Sequence, residues 1–152
     1  MQQFFDGAQA GSRRSNCAKQ KVGAVLVKDG SIISVGWNSC ACGGCHRSEM
    51  IPSEKCERLH LPSGEGYELS RPVHAEVSAM LRIRLERSAD DFERCIATVE
   101  PIEELVAELF TQEERALLEG ATLYLSGHTY ACDSCQQWAT LLGIESIVFA
   151  EA

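Results

Sequence analysis

Two short motifs carry residue types that bind metal ions and move protons. The first is His74-Ala75-Glu76, and the second is Cys132-Asp133-Ser134-Cys135. Two cysteines three positions apart can place both sulfurs on one side of the first turn of a helix, where free backbone N–H groups favour thiolates. With His74 they provide three protein ligands. Three ligands leave the fourth tetrahedral position open to water, which is typical of catalytic rather than structural zinc.

Glu76 follows the predicted ligand His74 by two residues and is not needed as a ligand itself. Zinc held by two thiolates and a neutral imidazole is a neutral centre, so a nearby base must take the proton of the water that reacts there. Glu76 can accept this proton, deliver it to the substrate and later protonate a leaving group. We therefore predict Glu76 as the catalytic residue.

The composition is that of one ordinary domain with a real core. The chain has 152 residues, 45% of them hydrophobic, and carries a formal net charge of −8. A nucleic-acid-binding protein would normally show a basic face. The basic residues here are scattered, apart from a group near the N-terminus that could meet one or two phosphates: Arg13, Arg14, Lys19 and Lys21. A polymer substrate is therefore disfavoured.

Eight cysteines indicate metal binding rather than disulfide bonding. The N-terminus has no basic region followed by an apolar stretch, so we expect no signal peptide. No apolar run approaches the roughly 18 residues of a membrane span. These features predict a cytoplasmic protein without membrane partners, in which clustered thiols stay reduced and more often bind metal.

The pattern of elements places both motifs at helix starts. A helix is predicted within residues 1–15, with Phe4 and Phe5 facing inward, and a second from Val73 to about Arg87 with an apolar face of Val77, Met80, Leu81 and Leu85. Residues 89–119 are predicted to be mostly helical, with a capping box at Thr111–Glu114, although the run 95–99 could be a strand instead. Residues 133–142 form the last predicted helix. Predicted strands are 22–27, 31–37, 121–126 and 145–150, the first two joined by an Asp29-Gly30 turn. This alternation predicts an α/β layered sheet.

The two motifs in this order correspond to H-x-E followed by P-C-x-x-C, a known signature of zinc nucleobase deaminases, except that the second motif begins with Ala131. The chain thus resembles the cytidine and deoxycytidylate deaminase superfamily. Deoxycytidylate deaminases are most similar, in segments that include Val22–Val27, Gly36-Trp37-Asn38, Glu68–Arg71 and Ala121–Leu125. The resemblance implies a single three-layer α/β/α domain over residues 1–152, with a mixed sheet of about five strands. It also implies a homo-oligomer and a substrate contact by Asn38. The other candidate substrate-binding residues are Ala75, Val25 and Tyr130.

Three features depart from this pattern. The proline usual before the first ligand cysteine is Ala131, so the loop is less rigid by sequence. Residues 126–131 are about two residues longer than usual, and His128 and Tyr130 could line the base pocket or simply pack. Residues 89–119 resemble an insertion that could cover the site or build an interface.

Residues 39–72 are predicted to form a long loop rich in cysteine and histidine. Some deoxycytidylate deaminases hold a second, structural zinc in this region, and the C-x-C-x-x-C-H run is dense enough to suggest one here. The sequence does not select its ligands among the candidates Cys40, Cys42, Cys45, His46, Cys56 and His60, with Cys17 near by in the expected fold.

The best-supported function is the hydrolytic deamination of a cytosine nucleotide, with deoxycytidylate as the substrate. A second hypothesis keeps the chemistry and changes the base or carrier to a nucleoside, a purine or an RNA base. A third is a catalytically silent zinc-binding regulatory module. Glu76 argues against silence, because a structural zinc site has no use for a carboxylate that is not a ligand.

Overall fold

The computed structural model describes residues 2–15, 20–39, 73–97, 101–128 and 131–150. These residues form the helices α1 (Gln2–Ser12), α2 (Ala75–Leu81), α3 (Ala89–Ala97), α4 (Ile102–Leu109), α5 (Gln112–Leu118) and α6 (Asp133–Leu141). They also form the strands β1 (Gly23–Lys28), β2 (Ser31–Trp37), β3 (Thr122–Ser126) and β4 (Ser146–Phe149). In the described part of the chain, no helix has the length and apolar character that a membrane crossing requires.

The strands form one mixed sheet in the order β2-β1-β3-β4. Strand β1 is antiparallel to both β2 and β3, whereas β3 and β4 are parallel. The hairpin between β1 and β2 turns at Asp29 and Gly30, whose φ angles of 52° and 79° are both positive, as a tight two-residue hairpin requires. The predicted mixed sheet is confirmed, with four strands in the described residues where about five were expected.

Helices cover both faces of the sheet, which confirms the predicted three layers. Because side chains alternate along a strand, Ala24 and Leu26 of β1 join the larger core, to which α2, α4 and α6 also contribute. The opposite face packs against α1. There the rings of Phe4 and Phe5 lie 5.0 and 5.3 Å from the ring of Tyr124 on β3, as predicted for inward-facing phenylalanines.

Helix α2 lies directly against the backbone of β2 at Gly36. A Cβ at this position would lie 2.2 Å from the backbone nitrogen of Ala79 and 2.7 Å from the carbonyl oxygen of Ala75. The Ser34 hydroxyl donates a hydrogen bond to the carbonyl oxygen of Ala79 at 2.6 Å. Glycine is therefore needed at residue 36 for this close approach, and the approach fixes the position of α2.

Helix α2 ends at Leu81, earlier than the predicted end near Arg87. The predicted inward position of Leu85 is wrong, since this side chain is 97% exposed. The physical reason is the Leu81 carbonyl, which would accept the next helical hydrogen bond. It accepts instead from the guanidinium of Arg87 at 2.9 Å and from the Arg84 backbone nitrogen, in a tighter turn, at 3.4 Å. Arg87 also pairs with Asp91 at 3.3 Å, so the chain turns here into α3.

The helical prediction for residues 89–119 is confirmed by α3, α4 and α5. The capping box is present, because Thr111 Oγ1 accepts from the Glu114 backbone nitrogen at 3.1 Å and Glu114 Oε1 accepts from the Thr111 nitrogen at 2.9 Å. Helix α5 ends at Leu118, just before Gly120 with φ 80°. Glu114 also binds Arg84 at 2.8 Å, which ties the turn after α2 to α5.

Candidate functional site

The strand register brings the ends of β2 and β3 to the same level of the sheet. Trp37 at the end of β2 and Ser126 at the end of β3 both pair with Gly23 of the central strand β1. The ends of β2 and β3 therefore lie at the same end of the sheet, on either side of β1. The two predicted motifs lie downstream of these two strand ends.

His74 is held by a short backbone bridge. The Ser39 nitrogen donates to the Val73 carbonyl at 3.0 Å, and the Val73 nitrogen donates to the Ser39 carbonyl at 2.8 Å. His74 then takes the N-cap position of α2 with extended backbone angles (φ −73°, ψ 153°), and its imidazole makes no capping hydrogen bond. Its ring faces the start of α6.

The two cysteines occupy the start of α6. Cys132 is the N-cap, and its sulfur accepts a hydrogen bond from the backbone nitrogen of Cys135 at 3.4 Å. The two sulfur atoms lie 3.1 Å apart. Cys135 is 1% exposed and belongs to the larger core, whereas Cys132 is partly exposed. The predicted placement of both sulfurs on one side of the first helical turn is therefore present.

His74 meets both cysteines through Nδ1. This atom lies 3.1 Å from the sulfur of Cys132 and 3.2 Å from that of Cys135. Among the described residues, these three form the one group of three or more His, Cys, Asp or Glu able to hold a metal ion. The donor set fits zinc. Zn–S bonds of about 2.3 Å and Zn–N bonds of about 2.0–2.1 Å set tetrahedral ligand atoms about 3.5–3.8 Å apart, slightly wider than this triangle.

The electrostatics of Cys132 and Cys135 also favour the binding of a cation. The Cys135 thiol donates to the Cys132 sulfur, and this bond lowers the pKa of Cys132 to about 3. The same bond, together with burial, raises the pKa of Cys135. Cys132 is thus the thiolate of the pair, and Cys135 is the thiol whose proton lies between the two sulfurs. A metal ion takes the place of that proton, because thiolates are its ligands.

Glu76 is buried beside this group. It is 2% exposed, on the first turn of α2, and its carboxylate lies close enough to the Cys135 side chain to interact with it. Burial raises the pKa of Glu76 above its ordinary value, although its own backbone N–H and the nearby His74 oppose the rise. A carboxyl group with a raised pKa holds a proton more readily than an ordinary one, which suits a group that has to accept and return protons.

The predicted substrate-binding residues fall in different places. Ala75 is 1% exposed at the start of α2, next to His74. Asn38 is 8% exposed, and its side-chain amide forms hydrogen bonds with the backbone of the segment before β1. Its Nδ2 donates to the Gln20 carbonyl at 2.8 Å and its Oδ1 accepts from the Val22 nitrogen at 2.9 Å. Val25 is not brought to the metal group, because it packs in the cluster on the α1 side of the sheet.

Several predicted residues lie outside the described part of the chain. They are Tyr130 and the candidates for a second zinc, namely Cys17, Cys40, Cys42, Cys45, His46, Cys56 and His60. Their roles stay predictions.

A glutamine that the sequence did not single out holds the loop after β3. Gln20 Nε2 donates to the Gly127 carbonyl at 2.7 Å, and its Oε1 lies 3.1 Å from His128 Nε2. Since this oxygen can only accept, Nε2 of His128 carries the proton. Burial, followed by the nearby charge of His74, lowers the pKa of His128, so this side chain lies in the electrostatic range of the metal group.

A second glutamine holds the other end of the same loop. Gln136 Nε2 donates to the carbonyl oxygen of Ala131 at 2.8 Å, immediately before Cys132. The sequence gives no motif for either contact, because a bond from a side-chain amide to a backbone carbonyl requires only that the two groups lie close together in the fold. For Gln136, its position directly after Cys135 is the one hint that it lies near the metal group.

Comparisons with known proteins agree with this geometry. Residues 1–151 match the family described as "Cytidine and deoxycytidylate deaminase zinc-binding region". The deoxycytidylate deaminase of Enterobacteria phage T4 is 28% identical over 158 residues, covering 92% of this chain and 72% of that protein. The deoxycytidylate deaminase of Mycobacterium phage D29 is 27% identical, covering 96% of this chain and 90% of that protein. The crystal structure of the dCMP deaminase of cyanophage S-TIM5 has a similar fold, with a TM-score of 0.50 and 19% identity over 97% of this chain and 79% of that one.

Proposed function

We propose that this chain, which belongs to the cytidine and deoxycytidylate deaminase family of zinc-dependent hydrolases, converts dCMP and water to dUMP and ammonia. The observation that carries the proposal is the buried carboxylate of Glu76 beside the His74, Cys132 and Cys135 group. A structural metal site needs no such carboxylate, whereas hydrolytic deamination needs a group that moves protons.

Three side chains are proposed to hold the zinc, through Nδ1 of His74 and the sulfurs of Cys132 and Cys135. When bound, zinc supplies Lewis acidity that lowers the pKa of water, and three protein ligands leave a position open for this chemistry. The helix start contributes as well, since the backbone N–H of Cys135 donates to the sulfur of Cys132 and stabilises its thiolate.

Glu76 is proposed to move the protons of the reaction. Its carboxylate accepts a proton from the water that attacks carbon 4 of the cytosine ring, and it delivers this proton to the adjacent ring nitrogen. The carbon–nitrogen bond to the exocyclic amine then breaks, and Glu76 transfers the second proton of the water to the amine as it leaves. The burial of Glu76 keeps bulk water from competing for these protons.

The choice of dCMP rests on the relatives and on charge. The phage relatives named above are deoxycytidylate deaminases, and the S-TIM5 enzyme has also been crystallised in complex with dCMP and dUMP. A net charge of −8 disfavours long nucleic acids as substrates. Asn38 is proposed to contact the sugar or phosphate.

A substrate panel tests the proposal. Ammonia release and the change in ultraviolet absorbance would be measured for the zinc-loaded protein with dCMP, CMP, deoxycytidine, cytosine, adenine and guanine nucleosides, and a cytosine-containing oligonucleotide. Fast turnover of dCMP alone is the expected result. Turnover of another compound without dCMP would keep the chemistry but refute the substrate. A lack of turnover on every compound by zinc-loaded protein would favour the silent-module hypothesis.

The role of Glu76 is tested by Glu76→Gln, which keeps the size of the side chain but cannot shuttle protons. We expect this variant to bind zinc as the wild type does and to lose about 10²- to 10⁴-fold in kcat. Glu104→Gln, at an exposed position of α4, is the matched control and is expected to retain full activity. A Glu76→Gln variant with wild-type kcat would refute this mechanism.

Further parts of the proposal concern the whole molecule. We propose that residues 1–152 form a single domain, that the protein acts in the cytoplasm, and that it assembles as a homo-oligomer. Size-exclusion chromatography with light scattering tests the assembly. Metal analysis tests the second zinc, since two equivalents per chain are expected if residues 39–72 hold one and one equivalent if they do not.

A further inference from the structure

The residue before the first cysteine of the metal group is an alanine where the deaminase signature has a proline. Proline fixes its own φ angle near −65° and so limits the directions in which the next residue can lie. Alanine leaves this angle free. The folded chain therefore needs another means of fixing the backbone at Ala131 if Cys132 is to keep its place.

The side chain of Gln136 provides such a restraint. Its Nε2 donates to the Ala131 carbonyl at 2.8 Å, while its backbone nitrogen donates to the Cys132 carbonyl at 3.0 Å. Both contacts come from one residue, next to Cys135 in sequence. They orient the two peptide units on either side of the Cys132 Cα, and the Ala131 side chain is buried against the larger core.

We propose that Gln136 is a positioning residue for the zinc ligands, and that its amide restrains the peptide between Ala131 and Cys132 at the point where the signature has a proline. By fixing the Ala131 carbonyl, Gln136 holds the Cys132 sulfur within reach of Cys135 and His74. This inference rests on the zinc chemistry of the proposed function, but it does not depend on which nucleotide is the substrate.

The neighbouring glutamine offers a matched comparison. Gln137 lies on the same turn of α6, and its Nε2 donates to Glu103 Oε1 of α4 at 3.0 Å. It has the same side chain, the same helix and a hydrogen bond of similar length, but its bond ties α6 to α4 rather than to the ligand loop. A general effect of losing one glutamine hydrogen bond from α6 would appear equally at both positions.

The test uses Gln136→Met and Gln137→Met, because methionine keeps the length of the side chain and its helix propensity but cannot donate. The zinc dissociation constant of the zinc-loaded proteins would be measured by competition with a chromogenic chelator. We expect Gln136→Met to raise this constant about three- to tenfold, the effect of one lost hydrogen bond, and Gln137→Met to change it less than about twofold. Equal constants for the two variants would overturn the proposal.

A rescue experiment separates positioning from other effects. Adding Ala131→Pro to the Gln136→Met protein is expected to restore the wild-type zinc constant, since the ring then fixes residue 131. Ala131→Pro alone is expected to bind zinc normally. Failure of the rescue, or loss of zinc in Ala131→Pro alone, would contradict the proposal while the proposed function stands. A wild-type protein that binds no zinc at this site would refute both.

Discussion

The contact between α2 and β2 at Gly36 predicts a strong effect of the smallest possible side chain. In Gly36→Ala the new Cβ would lie 2.2 Å from the Ala79 nitrogen and 2.6 Å from the Ala79 Cα, so the gap to the nitrogen has to open by about 1.2 Å to reach ordinary contact at 3.4 Å. Both atoms belong to the backbone, and no rotamer change can relieve the clash. The helix and the strand therefore have to separate.

The cost can be estimated from this geometry. Overpacking a core typically costs about 1–3 kcal/mol, and a clash between backbones belongs at the upper end, about 3 kcal/mol in the free energy of unfolding. The displaced helix carries Glu76 and begins directly after His74. A shift of about 1 Å in such groups costs about 10²-fold in rate. We therefore expect kcat with dCMP to fall about 100-fold in the protein that remains folded.

The assay combines urea unfolding with turnover measured at a temperature where the variant is folded. Gly30→Ala is the control. Gly30 has φ 79°, and no atom lies within 4 Å of its added Cβ, so this variant strains the β1–β2 turn by about 1–2 kcal/mol without moving α2. It is expected to lose stability and keep its kcat. If Gly36→Ala loses stability but keeps its kcat, the argument that this contact positions the catalytic groups is wrong.

Three other predictions concern the metal group and two arginines. Each of the single variants His74→Ala, Cys132→Ala and Cys135→Ala is expected to contain one zinc equivalent fewer than the wild type in metal analysis. Full metal content in any of them would contradict the assignment of that residue as a ligand. Glu114, whose pKa the hydrogen bond from Arg84 lowers from 4.5 to about 2, stabilises the fold above pH 4.5, and this contribution is lost as the pH falls from 4.5 to about 2. Arg84→Met should therefore cost about 1 kcal/mol or less at neutral pH, since the Arg84 side chain is 41% exposed. The difference from wild type in urea unfolding should shrink through that window, and a constant difference would contradict the pairing. Arg87→Met leaves the carbonyls of Leu81 and Leu109 without their buried cationic donor, and calorimetry should show a loss of about 2–4 kcal/mol. An unchanged melting temperature would show that these bonds do not stabilise the fold.

Local signals in the sequence predicted most of the elements. The positive φ angles at Asp29 and Gly30 follow from residue types that tolerate them, and the capping box at Thr111 depends on residues three apart. The metal group was predicted because its two motifs occur together, in the order of a known deaminase signature and at predicted helix starts. For the turn and the capping box the necessary information lies within a few neighbouring residues, and for the metal group it lies within two short motifs.

Features that depend on distant contacts could not be predicted in this way. The end of α2 depends on a hydrogen bond from Arg87, six residues beyond Leu81. The side of the sheet that Val25 faces could not be assigned, because β1 is apolar on both faces and its sequence shows no alternation. The contact between Gln136 and Ala131 required knowledge of how the loop folds back onto α6.

The long separation of the zinc ligands in sequence constrains the order of events in folding. His74 and Cys132 are 58 residues apart, so their encounter closes a large loop and carries its entropic cost. Three strands lie between the start of the chain and Cys132, and the register of β2 and β3 on Gly23 brings the two motifs together. We therefore expect zinc to gain its third ligand only after the central strands have aligned. Because the chain has eight cysteines, we also expect excess zinc during refolding to bind other thiols and to slow the recovery of active protein, compared with refolding before zinc is added.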